Sequence, residues 1–199
     1  MIAMARPETV ESACSPEAFE LRYREDADPW NFASSAYELN RYDVTLRYLR
    51  HARYRRAFEP GCSIGVLTSR LAERCDEVLA TEVSPSAIAR AKTACADYSN
   101  VRFALHDLRD APPEGPFDLI VFGEVGYYFP REQLASIAAG LIALLAPGGE
   151  FVAVHWLGAS EDHVLHGDEV HTVLAESLPM PRTRSARHMG FRLDSWVCA

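Results

Sequence analysis

The sequence predicts an α/β fold: a mostly parallel, seven-stranded sheet with helices on both faces and an antiparallel hairpin at the C-terminal end. Three observations carry this. Short apolar runs alternate with stretches of helical period from residue 55 to 156, the pattern of βαβ units. Residues 56–68 read as a strand ending in a carboxylate, a glycine turn and the first turn of a helix. Residues 182–188 and 191–197 flank Met189-Gly190 as the arms of a closing hairpin. In such sheets ligands bind beyond the carboxyl ends of the strands, at the point where strand order reverses. Chemistry is therefore to be sought at strand ends.

Taken in order, residues 1–27 are polar and lack a sustained period, which predicts a loose arm with one helical turn near Pro16 to Arg24. Asp28-Pro29-Trp30 punctuates the chain. Ser35-Ala36-Tyr37-Glu38 has the spacing of a capping box, in which the serine and the glutamate satisfy two helix N-terminal donors reciprocally. A helix over 36–51 should follow, with one apolar stripe through Leu39, Tyr42, Leu46 and Leu49 and another through Tyr37, Val44 and Tyr48. Arg41 falls on the second stripe. There it either has an anionic partner, because a buried lone charge is costly, or snorkels its head to water. Arg47, Arg50, Arg53, Arg55 and Arg56 complement the helix dipole and read as a solvated face.

The glycine turn leads into a helix over 65–75, and residues 77–83 form a buried-type strand. Ser84-Pro85 is an N-cap followed by proline at the first helical position, opening a helix through Ile88, Ala91 and Cys95. Residues 100–107 make a third strand and residues 117–124 a fourth. Leu134, Ile137, Ala138, Leu141 and Leu145 mark the next helix, which Ala146-Pro147-Gly148-Gly149 stops before a fifth strand over 150–156. A last helix spans 167–178.

At 199 residues, with 48% apolar and 24% charged, the chain has ordinary globular composition and suffices for one core. Its net charge of −8 argues against a nucleic-acid binder. Five scattered cysteines without C-x-x-C spacing argue against a disulfide framework and a zinc site, and no metal is expected. No signal pattern opens the chain and no apolar run reaches membrane-spanning length, so a cytoplasmic protein without a membrane partner is expected.

Four strand ends carry acids: Glu59, Glu82, Asp107 and Glu124. Glu82 lies 21 residues after Gly61, where a carboxylate can accept both hydroxyls of a ribose held over the turn. The turn is not G-x-G-x-x-G, because Ser63 stands at the middle position and only Gly61 and Gly65 remain. Like charges converging on one cleft repel unless a ligand or donors compensate. An anionic pyrophosphate would not. A sugar diol, an exocyclic amine, an ammonium and a sulfonium would, and S-adenosylmethionine carries all four.

The motifs Asp28-Pro29-Trp30, Phe58-Glu59-Pro60-Gly61-Cys62-Ser63-Ile64-Gly65-Val66-Leu67-Thr68, Phe117 to Val121 with Glu124-Val125 and Tyr127-Tyr128, and Leu145 to Gly149 stand in order over residues 28–175. In these the sequence resembles the class I S-adenosylmethionine-dependent methyltransferases, and within them the nodulation protein S group of small-molecule N-methyltransferases. The resemblance implies a Rossmann-like core domain over 55–199, an N-terminal lid helix over 28–54, and a monomer or homodimer. It implies that Gly61, Cys62 and Ser63 wrap the methionine part of the cofactor, with Glu59 and Gly65 also in its binding site, and that Glu82 takes the ribose. Val83 then packs on adenine, Asp107 accepts its amino group beside the Leu108 backbone, and Glu124 faces the methionine end. Trp30 and Arg41 belong to the lid, with Arg41 pairing the cofactor carboxylate. S-adenosylhomocysteine is the product.

Methyl transfer to a small polar acceptor, an amine or a hydroxyl, needs alignment, exclusion of water and at most one proton removed. His155, Glu124, Tyr127 and Tyr128 are the candidate bases. His163, His166 and His171 with Asp168 lack an i, i+4 pair and read as surface histidines rather than metal ligands. Three rivals remain: a natural-product O-methyltransferase, a nicotinamide-dependent oxidoreductase, which the missing G-x-G-x-x-G and an Asp107 without a task there disfavour, and a catalytically silent binding module.

Overall fold

The computed structural model describes residues 14–199; residues 1–13 of the expected loose arm lie outside the described residues. The rest of that arm departs from expectation. Pro16–Glu25 (α1) is a helix of ten residues, with Ser15 accepting the Ala18 N–H as its N-cap and proline at the first position. Its poor amphipathic period shows only one turn of it in the sequence, because polar contacts from far along the chain dock it together with buried Tyr23, which packs on Ile64 and Ala87. Glu20 accepts from the Ser84 and Ser86 hydroxyls and the Ser86 N–H at 2.7–3.0 Å, and Arg90 donates to the Tyr23 carbonyl. Arg22 pairs with Asp162 at 2.7 Å.

Ala36–Tyr48 (α2) begins at Ser35, but that serine makes no side-chain cap. The expected capping box is not formed: Glu38 turns inward to Arg41 instead. The buried cation draws the glutamate more strongly than the N-cap amide does, since two opposite unit charges attract more strongly than a charge and a neutral amide dipole.

The sheet comprises Tyr54–Pro60 (β1), Cys75–Glu82 (β2), Val101–Leu105 (β3), Phe117–Gly123 (β4), Leu145–Trp156 (β5), Arg182–His188 (β6) and Phe191–Val197 (β7), in the order β3-β2-β1-β4-β5-β7-β6. The first five pair in parallel, and β7 enters antiparallel between β5 and β6. Val66–Ala72 (α3), Pro85–Ala94 (α4), Arg131–Ala143 (α5) and Gly167–Ser177 (α6) complete the six α-helices among the described residues. Both faces are covered. Phe58, Phe122, Phe151 and Trp196 pack with Leu134, Leu141, Val170 and Leu174 of α5 and α6, while Ala57, Val121 and Val154 pack with Tyr42, Tyr48, Leu67 and Leu71 of α2 and α3. A row of buried apolar residues in β4 and β5 is what a central parallel strand requires.

β5 starts earlier than expected. Leu145 leaves the α5 stripe to pair with Phe117, and Ala146 to Gly149 form a bulge inside the strand rather than a loop ahead of it. Gly148, at φ 77°, makes that kink possible. The basic residues after α2 meet carboxylates at the surface: Arg53 with Asp76, Arg55 with Asp118, Arg56 with Glu77. Strand order reverses between β1 and β4, and the site lies above that break.

Candidate active site

A cleft with two joined lobes opens over the carboxyl ends of β1, β2, β3 and β4. The larger, about 700 Å³, is lined by Trp30, Gly61, Ser63, Glu82, Val83, Asp107, Leu108, Glu124 and Tyr128 among others. The smaller, about 450 Å³, is lined by Arg41, Glu59, Cys62, Ile64 and Val154 among others. Phe32, Gly61, Ser63 and Glu124 border both. All four strand-end acids therefore converge on one cleft. Gly65, Tyr127 and His155 line neither lobe.

The turn between β1 and α3 builds the floor. Gly61 (φ 72°) and Gly65 (φ 84°) are both left-handed. A Cβ on Gly61 would stand 2.2 Å from the Val125 side chain, so only glycine lets the turn meet the segment after β4. Gly65 serves packing instead: its added Cβ would press on the Ala91 backbone at 3.0 Å, where α4 crosses. Ser63 also takes a positive φ of 51°, and the Tyr23 hydroxyl donates to its Oγ at 2.5 Å. Backbone strain in a non-glycine residue of this kind is held by its surroundings.

Glu82 is buried and accepts from three backbone N–H groups: Ser63 at 3.0 Å, Val83 at 2.8 Å and Ser84 at 3.3 Å. Burial pushes its carboxyl up, and these three donors work against that. Among the described residues Glu59, beneath the turn, accepts only the Thr68 hydroxyl, at 2.6 Å. Burial first, and then the nearby Glu82, raise it to about 8. Asp107 behaves oppositely. Burial raises it, but the Arg109 guanidinium, 2.7–3.0 Å away, and the Arg109 N–H hold it below the ordinary aspartate value.

Glu59 makes stability depend on pH. The native carboxyl keeps its proton up to about pH 8, whereas the unfolded one loses it near the model-peptide value of about 4.3. Between those values the native state binds the extra proton, so stability falls as pH rises. In Glu59→Gln, whose amide still accepts from Thr68, that loss is removed. Urea unfolding at pH 5 and pH 8.5 should show the variant gaining on the parent at the higher pH, by on the order of a few kcal/mol. Parallel pH profiles for the two proteins would refute the buried, protonated carboxyl.

Arg41 is 1% exposed and pairs with both Glu38 and Glu124. The partnered alternative, not snorkelling, is what the fold adopts. Burial opposes its charge, but Glu124 and then Glu38 outweigh that and hold the guanidinium protonated. Glu124 follows β4 at φ 59° and is fully engaged: besides Arg41 it accepts the Trp156 N–H at 2.7 Å and the Tyr127 hydroxyl at 3.0 Å.

His155 is fully buried in β5 and presents no nitrogen to the cleft. The Gly126 N–H donates to its Nε2 at 3.1 Å, and its Nδ1 lies 3.3 Å from His171 Nε2. The other histidines also differ from the expected surface set. His171 is completely buried against Asp194, His166 caps α6 with Glu169, and His163 stacks on Tyr127 at 3.7 Å between ring centroids. Each has a separate task. Among the described residues no cluster of His, Cys, Asp and Glu is arranged to hold a metal ion.

Residues 18–180 match the family described as Nodulation protein S (NodS). The chain is 33% identical to nodulation protein S of Sinorhizobium fredii over 80% of its own length and 77% of that protein's. The chain belongs to the nodulation protein S family. It is also 31% identical to nodulation protein S of Rhizobium tropici, over 80% of this chain and 70% of that one. Its fold matches the crystal structure of N-methyltransferase NodS from Bradyrhizobium japonicum WM9 in complex with S-adenosyl-L-homocysteine, with a TM-score of 0.81 at 25% identity over 92% of this chain and 98% of that one. The protein is an S-adenosylmethionine-dependent methyltransferase with a Rossmann-like fold. Arg41, which lines the smaller lobe, keeps its buried Nε without a hydrogen-bond partner among the described residues. Among the described residues no helix is long and apolar enough to cross a membrane.

The cleft has a roof that spacing did not reveal. Phe19 and Tyr23 of α1 meet Trp30 at 6.3 and 5.5 Å, Trp30 stacks on Phe32 at 5.7 Å, and Phe19 meets Tyr128 edge-on at 4.9 Å. The signal in the sequence was the density of aromatics between residues 19 and 32 in an otherwise polar arm. His106, Arg109, Val125 and Phe129 also border the cleft without having been singled out.

Proposed function

We propose that the chain transfers the methyl group of S-adenosylmethionine to an amine of a small polar acceptor, an amino sugar or an amine-bearing natural product. One observation carries this: Phe19, Trp30, Phe32 and Tyr128 wall the cleft, and their aromatic faces favour cationic and amine ligands over anionic ones. The name of the Bradyrhizobium japonicum relative, an N-methyltransferase, supports the same reading.

The cofactor supplies a methyl carbon activated by its sulfonium and a neutral thioether leaving group. The turn of Gly61, Cys62 and Ser63, shaped by Gly65 and backed by Glu59, holds the methionine part. Glu82 accepts the ribose diol, Val83 covers adenine, and Asp107 shares its carboxylate between Arg109 and the adenine amino group beside the Leu108 backbone. Arg41 offers its free Nε to the cofactor carboxylate, while Trp30 and the aromatics around it close the roof and exclude water. Glu124, Tyr127 and Tyr128 face or brace the acceptor side.

Nitrogen is favoured over oxygen by the state of the candidate bases. A neutral amine attacks without prior deprotonation, whereas an alcohol needs a base in place. His155 is sealed from the cleft, and both Glu124 oxygens are engaged by protein donors. Tyr128 has its hydroxyl raised, by burial first and then by Asp162 and Glu124. A panel containing glucosamine, other primary amines and matched alcohols, read as S-adenosylhomocysteine release, tests the reading. Amines should turn over, faster as pH rises toward the amine's own pKa. Turnover confined to alcohols would overturn it.

A further inference from the structure

Beneath the acceptor side of the cleft, a line of buried polar groups crosses from β7 to the turn after β4. Asp194 on β7 lies 2.9 Å from His171 Nδ1, His171 Nε2 lies 3.3 Å from His155 Nδ1, and His155 Nε2 lies 3.1 Å from the Gly126 nitrogen. Asp194, His171 and His155 are all completely buried.

The protons in this line can be placed. A backbone N–H only donates, so His155 Nε2 must be the bare acceptor and its hydrogen sits on Nδ1. That hydrogen points at His171 Nε2, which is therefore bare, leaving His171 Nδ1–H to donate to the Asp194 carboxylate. One orientation satisfies every ring nitrogen in the line. A second proton on either ring would set two N–H groups against each other. The surroundings agree: burial, then His171 and Arg41, keep His155 well below the ordinary histidine value, and burial lowers His171 despite Asp194. Asp194, though buried, is held to about 2, with His171 and Arg192 among the groups favouring its charge.

The line ends where catalysis needs precision. Gly126 opens the 3₁₀ turn Gly126–Tyr128, and a Cβ there would fall 2.8 Å from His155 Nε2 and 2.6 Å from Val170. Tyr127 of that turn donates to Glu124, and its carbonyl accepts from the Val164 and Leu165 N–H groups of the loop before α6. Tyr128 enters the cleft.

We propose that His155, His171 and Asp194 form a hydrogen-bond chain of fixed polarity that positions the Gly126–Tyr128 turn, and with it Glu124 and Tyr128, for methyl transfer. They are positioning residues; none touches the cofactor or the acceptor. This rests on the amine reading only for its choice of acceptor.

Three measurements test it. Long-range ¹H–¹⁵N correlation on the wild type should show the Nδ1–H tautomer in both His155 and His171, and an Nε2–H tautomer in either would overturn the chain. With glucosamine as acceptor, His155→Leu should lower kcat by about 10- to 100-fold while the S-adenosylhomocysteine Kd stays within about twofold. His155→Gln, whose amide can accept from Gly126 and donate to His171, should recover most of that rate. An undiminished kcat in the leucine variant, or a Kd that worsens in step with kcat, would refute a positioning role. If the leucine variant does not fold, Asp194→Asn takes its place: it should lower kcat and mix the tautomers, and an unchanged rate with unchanged tautomers would refute the proposal. A wild type inactive on glucosamine counts against the acceptor reading alone, and the tautomers still decide the chain.

Discussion

Glu82→Ala should lower the affinity for S-adenosylhomocysteine by about 10²- to 10⁴-fold while the protein remains folded. On the proposed assignment the carboxylate accepts two ribose hydroxyls, and each hydrogen bond to a charged group contributes about 1.5–3 kcal/mol. Two such bonds amount to about 3–6 kcal/mol, which is the stated range at a factor of ten per 1.4 kcal/mol. The fold should lose much less. Glu82 is buried at a cost, shown by its raised carboxyl, and of the N–H groups it leaves, those of Ser63 and Val83 belong to residues that line a cleft water can enter. Calorimetric titration with S-adenosylhomocysteine, with circular dichroism as the control for folding, measures both. Unchanged affinity would refute the ribose assignment.

The second large effect is on stability. Arg41→Met should destabilise the protein by about 3–5 kcal/mol, because removing one member of a buried ion network strands the others. Glu38 and Glu124 would face each other across the vacated position without a cation. For a chain of this size that corresponds to a fall in Tm of about 10 °C. Glu38→Gln added to Arg41→Met should recover part of the loss, since burial already raises Glu38 and its neutral form is then the better tenant. Thermal unfolding of the single and double variants gives the coupling. Equal Tm values for Arg41→Met and the parent would mean that the cluster contributes nothing.

Much of this protein follows from local pattern. The alternation of strand and helix between residues 55 and 156, the glycine turn at Gly61 to Gly65 and the hairpin at Gly190 all rest on short-range periodicity and backbone freedom, which act within a few residues. Because topology sends parallel strand ends to one edge, the convergence of Glu59, Glu82, Asp107 and Glu124 was legible too.

Local pattern misled where a buried partner competed with it. Glu38 has capping-box spacing yet serves Arg41, and α1, with no apolar stripe, is docked by Ser84, Ser86, Arg90 and Asp162 from far along the chain. His171 looked like a helix-surface histidine, and only its partners on β5 and β7 make it a buried link.

The sheet, its glycine turn and the set of acids along its rim are readable in the chain's local pattern, because backbone preference and strand direction depend on neighbours in the chain. Which buried charges meet, which histidine faces a cleft and what roofs it emerge from the folded packing. Those outcomes depend on distances between side chains far apart in sequence, and on the cost of leaving any of them unpaired away from water.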